Sequence, residues 1–123
     1  RLYPTTQPRH NLRLEPSLGP EPALSLEAKE ALYRVAQEAL NNVAKHAQAH
    51  KAYLRLYQED GAVQLEIRDD GVGFDSQREY PGHLGLVSMR ERIERLGGRF
   101  WIESSPGAGT TVRAVLPMPN PTR

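Results

Sequence analysis

Cysteine is absent from the 123 residues. Disulfide staples, thiolate catalysis and Cys-based zinc sites are therefore excluded, and the absence suits a reducing compartment. Cytoplasm is the expected location, whether or not a longer parent protein is anchored in a membrane. Long apolar runs are also missing: nothing approaches the roughly 20 residues that span a bilayer, and Arg1 to His10 lacks the apolar centre of a signal peptide. An excess of one charge is missing too. Sixteen Lys and Arg balance fifteen Asp and Glu, leaving a formal charge of +1. No global field draws in nucleic acid or an anionic membrane, and neither partner is expected. Any anion must be held locally. Lysine is scarce, standing only at Lys29, Lys45 and Lys51. Two nucleotide motifs are lacking: no Gly-x-x-x-x-Gly-Lys-Ser/Thr occurs, and Gly71-Val72-Gly73 has neither the third glycine nor the immediate helix of a dinucleotide fingerprint.

The length suits one domain with one core. Pro4, Pro8, Pro16, Pro20 and Pro22 bar a helix interior near the start, because each removes a donor and clashes with the preceding turn. Residues 1–24 read as a linker or partial N-terminal segment, with an edge strand over His10 to Leu14. Residues 25–118 form the expected domain, and 119–123 a tail. From Ser25, a plausible N-cap, to about His46, the residues Leu32, Val35, Ala36, Ala39, Leu40 and Val43 recur at helical spacing. Alternating runs around Leu54 and Leu56, and around Val63, Leu65 and Ile67, flank Asp60-Gly61, the signal of a hairpin. A second helix runs from about Leu86 to Leu96, with Leu86, Met89, Ile93 and Leu96 inward and Gly97-Gly98 closing it. Strands at Arg99 to Ser104 and Thr111 to Leu116 bracket a turn at Pro106 to Gly109. Hairpins with helices inserted between them imply an α+β sandwich, a mixed, mostly antiparallel sheet with helices on one face.

Four elements could carry chemistry. Glu38, Asn42 and Lys45 fall at i, i+4 and i+7 beside the apolar stripe of the long helix, where a pocket wall would lie. Asn42 offers a neutral oxygen, Glu38 a carboxylate, and Lys45 and His46 positive donors, a set that suits Mg²⁺-nucleotide; a solvated helix face is the plainer explanation of this helix alone. Asp69-Asp70-Gly71-Val72-Gly73-Phe74 follows a strand directly, so glycines admit a ligand close to the backbone while a carboxylate can accept from an exocyclic amine such as that of adenine. Gly82-His83-Leu84-Gly85-Leu86 opens the second helix, where free N–H groups favour phosphate. Gly107-Ala108-Gly109-Thr110 adds a hydroxyl in reach of a base or a bridging water. Each of the last three is, taken singly, an ordinary turn or helix entry.

Together, and in this order, they resemble the boxes of the histidine-kinase ATPase family. Glu38-Ala39-Leu40-Asn41-Asn42 with Lys45-His46-Ala47 looks like its N box, Asp70-Gly71-Val72-Gly73 like its first glycine box, and Gly82-His83-Leu84-Gly85-Leu86 like its second. Gly109-Thr110 fits its closing strand. The run Gly85 to Gly98, with Met89-Arg90-Glu91-Arg92, is similar to the branch of sensor kinases paired with NarL-type response regulators. The resemblance spans about Leu26 to Pro117.

It implies the Bergerat-type α/β sandwich and the catalytic domain of a two-component sensor histidine kinase. Such a domain binds Mg²⁺-ATP and transfers the γ-phosphoryl group to a histidine. It further implies that Asn42 ligates Mg²⁺, that Glu38 orients or activates at the transferring group, and that Lys45 and His46 contact phosphates. Asp70 would recognise adenine within a pocket shaped by Gly71 and Gly73. Thr110 would join the base through water, and Gly82, Gly85 and Leu86 would flank an ATP lid, short here, over Asp75 to Pro81. None of His10, His46, His50 or His83 precedes an acidic residue or begins a long amphipathic helix. The implied phosphoacceptor therefore lies on a dimerisation domain outside this chain, and a NarL-type response regulator stands downstream in the phosphorelay. Two alternatives share the fold: an anti-sigma-factor-type serine kinase, and a non-catalytic ATP-sensing module.

Overall fold

The computed structural model describes residues 13–18, 23–47, 49–73 and 84–119, with backbone alone at 13–18, 46–47 and 84–86. Strand β1 (Arg13–Leu18) precedes helix α1 (Leu26–Asn42), which runs into a single π-helical turn (Val43–Ala47). The hairpin β2 (Lys51–Glu59) and β3 (Ala62–Asp69) follows, then helix α2 (Leu84–Arg95) and a second hairpin, β4 (Arg99–Ser104) and β5 (Thr110–Pro117). The five strands lie in the order β1-β2-β3-β5-β4. β1 pairs with β2 in parallel, and the other pairings are antiparallel. The sheet is thus mixed and mostly antiparallel, as the hairpin signals imply. The expected edge strand is displaced: it occupies Arg13–Leu18, and residues 10–12 lie outside the described residues. Pro16 sits within it, which an edge strand tolerates because one side of its backbone has no ladder partner.

Local chemistry explains the boundaries. The Ser25 hydroxyl oxygen accepts from Ala28 N–H at 3.1 Å, satisfying one of the orphan donors of α1, and Glu27 stands in the positively polarised first turn. Asp60 and Gly61 both have positive φ, 55° and 75°, which gives the tight β2–β3 turn the twist of its strands. At the end of α2, Gly98 N–H donates to Ile93 O at 2.9 Å and Gly97 N–H to Glu94 O at 3.0 Å, the paired bonds of a Schellman cap. Arg92 and Arg95 occupy the negatively polarised last turn.

Both helices cover one face of the sheet. The core gathers Ala31, Leu32, Val35, Ala36, Ala39 and Leu40 of α1 and Ile93 of α2 against Leu54, Val63, Leu65, Ile67, Phe100, Val112, Ala114 and Leu116. Met89 and Leu96 pack at its margin, as their spacing suggests, while the side chain of Leu86 lies outside the description. Burying each large aliphatic group contributes about 1.5–3 kcal/mol, so this layer, not any polar pair, holds the helices down. The opposite face carries stacked cation–aromatic pairs: Arg55 on Tyr57 at 4.4 Å, Arg68 on Tyr53 at 5.2 Å and Arg113 on Trp101 at 5.6 Å from the ring centres. Their long stems cover the sheet while the charged heads stay in water.

Gly98 lets α2 close on β5: a Cβ there would stand 2.2 Å from Val115 O and 2.7 Å from Leu116 Cδ2. Gly61 has open space around it and only its positive φ to protect. Gly98→Ala is expected to destabilise by about 2–3 kcal/mol through overpacking against backbone, and Gly61→Ala by about 1 kcal/mol through left-handed backbone strain. Urea unfolding of the two variants checks the order, and an equal cost would refute the close-packing role of Gly98.

Candidate functional site

The covered face of the sheet reads row by row. Cross-strand register aligns Val63 with Leu116, Leu65 with Ala114 and Phe100, and Ile67 with Val112 and Ile102. The next row in the same register is Asp69, Thr110 and Ser104. Side chains alternate along a strand, so Asp69 shares the face of Val63, Leu65 and Ile67. Three apolar rows therefore end in a polar one.

Asp69 is 6% exposed and is the buried charged side chain among the described residues. Its Oδ1 accepts from Gly71 N–H at 2.7 Å. Burial holds its carboxyl above the ordinary carboxylate range; the N–H groups of Gly71 and Thr110 oppose that shift, and the charge of Asp70 adds to it. Asp70 behaves in the opposite way. It is exposed, and its Oδ1 accepts from His50 N–H at 2.9 Å and Lys51 N–H at 3.0 Å. These bonds, that from Lys51 first, draw its pKa below the usual value. The carboxylate expected to meet adenine, Asp70, is thus engaged in tying the start of β2 to the end of β3. The one aimed into the layer between sheet and helices is its neighbour. β3 had the signal: counting by twos from Val63 arrives at Asp69.

The helix end is brought over this row by a short apolar relay. Val43, one residue beyond Asn42, packs with Ala49 and Ala52, and Ala52 is the cross-strand partner of Asp69. Glu38 and Asn42, one turn apart, are both half-buried. Asn42 Nδ2 is buried and has no hydrogen-bond partner among the described residues. An unsatisfied buried donor costs about 1–3 kcal/mol, which a bound acceptor such as a phosphate oxygen would offset. The same amide carries an oxygen of the hard kind that Mg²⁺ takes. Among the described residues no cluster of three or more His, Asp or Glu could hold a metal alone. The donor set fits a cation that shares its shell with phosphate and water.

Beyond Asn42 the α-helical stripe breaks. Val43–Ala47 is a π turn, which advances each residue by less than an α-helix does, so Lys45 is rotated off the line through Glu38 and Asn42 and stands exposed. The backbone of His46 belongs to this turn, and its side chain lies outside the description. Gly73 and Gly109 serve loop-to-loop contact. A Cβ on Gly73 would stand 2.1 Å from Ser105 O, and one on Gly109 would stand 2.2 Å from Asp69 O; both glycines have positive φ. Gly107 N–H donates to Val72 O, locking the β4–β5 turn to the exit of β3. Gly73 is therefore needed first for this interlock, where the sequence had suggested room for a ligand. Gly85 and Leu86 lie in the first turn of α2, while Gly82 and the lid at 75–81 fall outside the described residues. Ser104, which the motifs did not single out, joins Asp69 and Thr110 in their row.

The two neighbouring carboxylates should leave opposite marks on stability. The folded pKa of Asp69 is raised, so its contribution is most favourable below 3.8 and declines as pH rises from 3.8 through the raised folded value. The folded pKa of Asp70 is lowered, so its contribution is full above 3.8 and is lost as pH falls below it. Subtracting the unfolding free energies of Asp69→Asn and Asp70→Asn from those of the unchanged chain across acid pH should give slopes of opposite sign. Parallel curves would contradict the burial of Asp69.

Residues 27–120 match the family described as histidine kinase-, DNA gyrase B-, and HSP90-like ATPase. Sensor histidine kinase YhcY of Bacillus subtilis is 43% identical over 102 residues, covering 79% of this chain and 26% of that protein. Sensor histidine kinase MctS of Rhizobium johnstonii is 44% identical over 97 residues, covering 76% and 21%. The chain thus spans about a quarter of the length of these relatives. The histidine kinase domain from the Erythrobacter litoralis EL346 blue-light activated histidine kinase superposes with a TM-score of 0.76 at 22% identity, over 89% of this chain and 53% of that one. The mycobacterial sensor histidine kinase MprB does so with a TM-score of 0.67 at 25% identity, over 91% and 86%. The chain belongs to the histidine kinase-, DNA gyrase B- and HSP90-like ATPase family, as an ATP-binding domain of the kind found in sensor histidine kinases.

Proposed function

We propose that this domain binds Mg²⁺-ATP between its sheet and helices and donates the γ-phosphoryl group to a histidine on a separate dimerisation domain of the same kinase. The carrying observation is the placement of Asp69, a buried carboxylate held by two backbone N–H groups at the end of an apolar sheet face. A carboxylate so placed accepts from the exocyclic amine of adenine, and the apolar rows beside it take the ring. The base-reading role passes from Asp70 to Asp69, with Thr110 beside it.

At the other end, Asn42 would hold the cation through Oδ1 and a phosphate oxygen through Nδ2, which has no partner among the described residues. Bound Mg²⁺ would neutralise charge between phosphates and so lower repulsion toward an incoming nucleophile. Glu38 lies one turn back on the same helix side, where it orients the attacking imidazole or accepts its proton. Lys45, with His46 and the start of α2 at Leu84 to Leu86, supplies positive potential to the phosphates. Catalysis by such a set is positioning and charge compensation, with no covalent step on this domain. The similarity around Met89 to Arg92 points to a NarL-type response regulator as the receiver of the phosphoryl group. A cytoplasmic setting follows from the need for ATP. Among the described residues no helix is long and apolar enough to cross a membrane.

Calorimetry of ADP binding with and without Mg²⁺ tests the site. Asp69→Asn should weaken binding about ten- to a hundredfold, the value of a hydrogen bond to a charged group. Asp70→Asn should leave affinity within about twofold, as for an exposed charge away from the ligand. Asn42→Ala should remove chiefly the Mg²⁺-dependent part. Loss in Asp70→Asn alone would return the role to Asp70. For the reaction, acid-labile phosphate should appear on a dimerisation fragment of the parent kinase mixed with this domain and ATP. Acid-stable phosphoserine on a protein partner would make it a serine kinase, and binding without transfer would make it a sensor.

A further inference from the structure

The polar row has an internal proton order that follows from the identity of its acceptors. Ser104 Oγ lies 3.0 Å from Gly109 O. A carbonyl can only accept, so the hydroxyl proton of Ser104 is assigned to that contact. Ser104 Oγ is also 2.8 Å from Thr110 Oγ1. With the serine proton committed, this contact draws on the proton of Thr110. The threonine hydroxyl is then turned toward β4 and presents only lone pairs elsewhere. Asp69, its neighbour in the row, is acceptor-only when ionised.

The geometry behind this order is held by the backbone. Gly109, at φ 75°, packs so closely on β3 that a Cβ would stand 2.2 Å from Asp69 O, and Ala108 N–H donates to Ser105 O at 3.0 Å within the same turn. The carbonyl that receives the serine proton is thereby fixed relative to both Thr110 and Asp69. Ser104 and Thr110 are half-buried, so water competes weakly for these bonds.

We propose that Ser104 is a specificity-positioning residue: by fixing Thr110 as an acceptor, it makes the row select purines with a 6-amino group over those with a 6-oxo group. This rests on the base being read by Asp69 and its row. Ser104 acts through Thr110 and does not touch the nucleotide. An exocyclic amine offers protons to both acceptors, whereas a 6-oxo purine sets an oxygen against their lone pairs and keeps a proton only on N1. Without the serine hydroxyl, Thr110 is released to turn its proton toward the ligand and to serve either base.

The test compares ADP with inosine diphosphate, which carries a 6-oxo group and an N1 proton in place of the 6-amino group and bare N1, without the extra amino group of guanine, on the intact chain by calorimetry. The unchanged chain should prefer ADP. In Ser104→Ala the ADP-to-IDP affinity ratio should fall about three- to tenfold, the net worth of one neutral hydrogen bond, and Ser104→Thr should restore it. The ratio is the decisive readout, because a purely structural role for Ser104 would weaken both ligands alike. Equal binding of both diphosphates by the unchanged chain would overturn base reading by the row itself. A preference that persists unaltered in Ser104→Ala would overturn the role of Ser104 while leaving Asp69 as the reader.

Discussion

The fold turns on cross-strand register. A strand shifted by one residue would carry its entire covered set to the opposite face, and in this sheet the same shift would swap Asp69 with Asp70. The apolar sequence of β3 prevents it: Val63, Leu65 and Ile67 are nearly inaccessible to water, and their burial outweighs the cost of one desolvated carboxylate at the strand end. The core thus enforces the position of a group that does nothing for the core. The carboxyl of Asp69 is pushed upward by burial and only partly relieved by the N–H groups of Gly71 and Thr110, so the sheet gives up stability to hold it there.

Around that row the backbone is unusually close to itself. Gly73 touches Ser105 O, Gly109 touches Asp69 O, and Gly107 N–H bonds to Val72 O. The exit of β3 and the β4–β5 turn form one interlocked rim, and Asp70 extends it to the start of β2 through His50 and Lys51. Three segments distant in sequence are fastened by main-chain contacts and by one short carboxylate, which have few soft degrees of freedom.

The helix side is built on a different rule. The end of α1 sits above the row because Val43, Ala49 and Ala52 pack together, and the turn that carries Val43 is π-helical. Glu38 and Asn42 precede the change of pitch and Lys45 follows it, so the groups suited to the cation and to the outer phosphates are separated in direction as well as in height. The Asn42 nitrogen, buried and without a hydrogen-bond partner among the described residues, marks a point where a ligand acceptor would fit. Membership of the ATPase family, resting on residues 27–120, accords with that, since the phosphates of a nucleotide are acceptors.

Much of this was legible in the chain. Helical spacing, the Ser25 cap, Asp60-Gly61, Gly97-Gly98 and the two hairpins determined the elements and the α+β class, because capping, turn handedness and periodicity are local physics. Asn42 and Thr110 stood out through their motif context. The sequence did not distinguish between adjacent aspartates, place the parallel edge strand at Arg13–Leu18, or reveal Ser104, the π turn and the glycine interlock. Those depend on which strand lies beside which, and on where the helix end lands. Only the tertiary structure decided them, because burial and hydrogen-bond partnership at a strand end are set by neighbours far away along the chain.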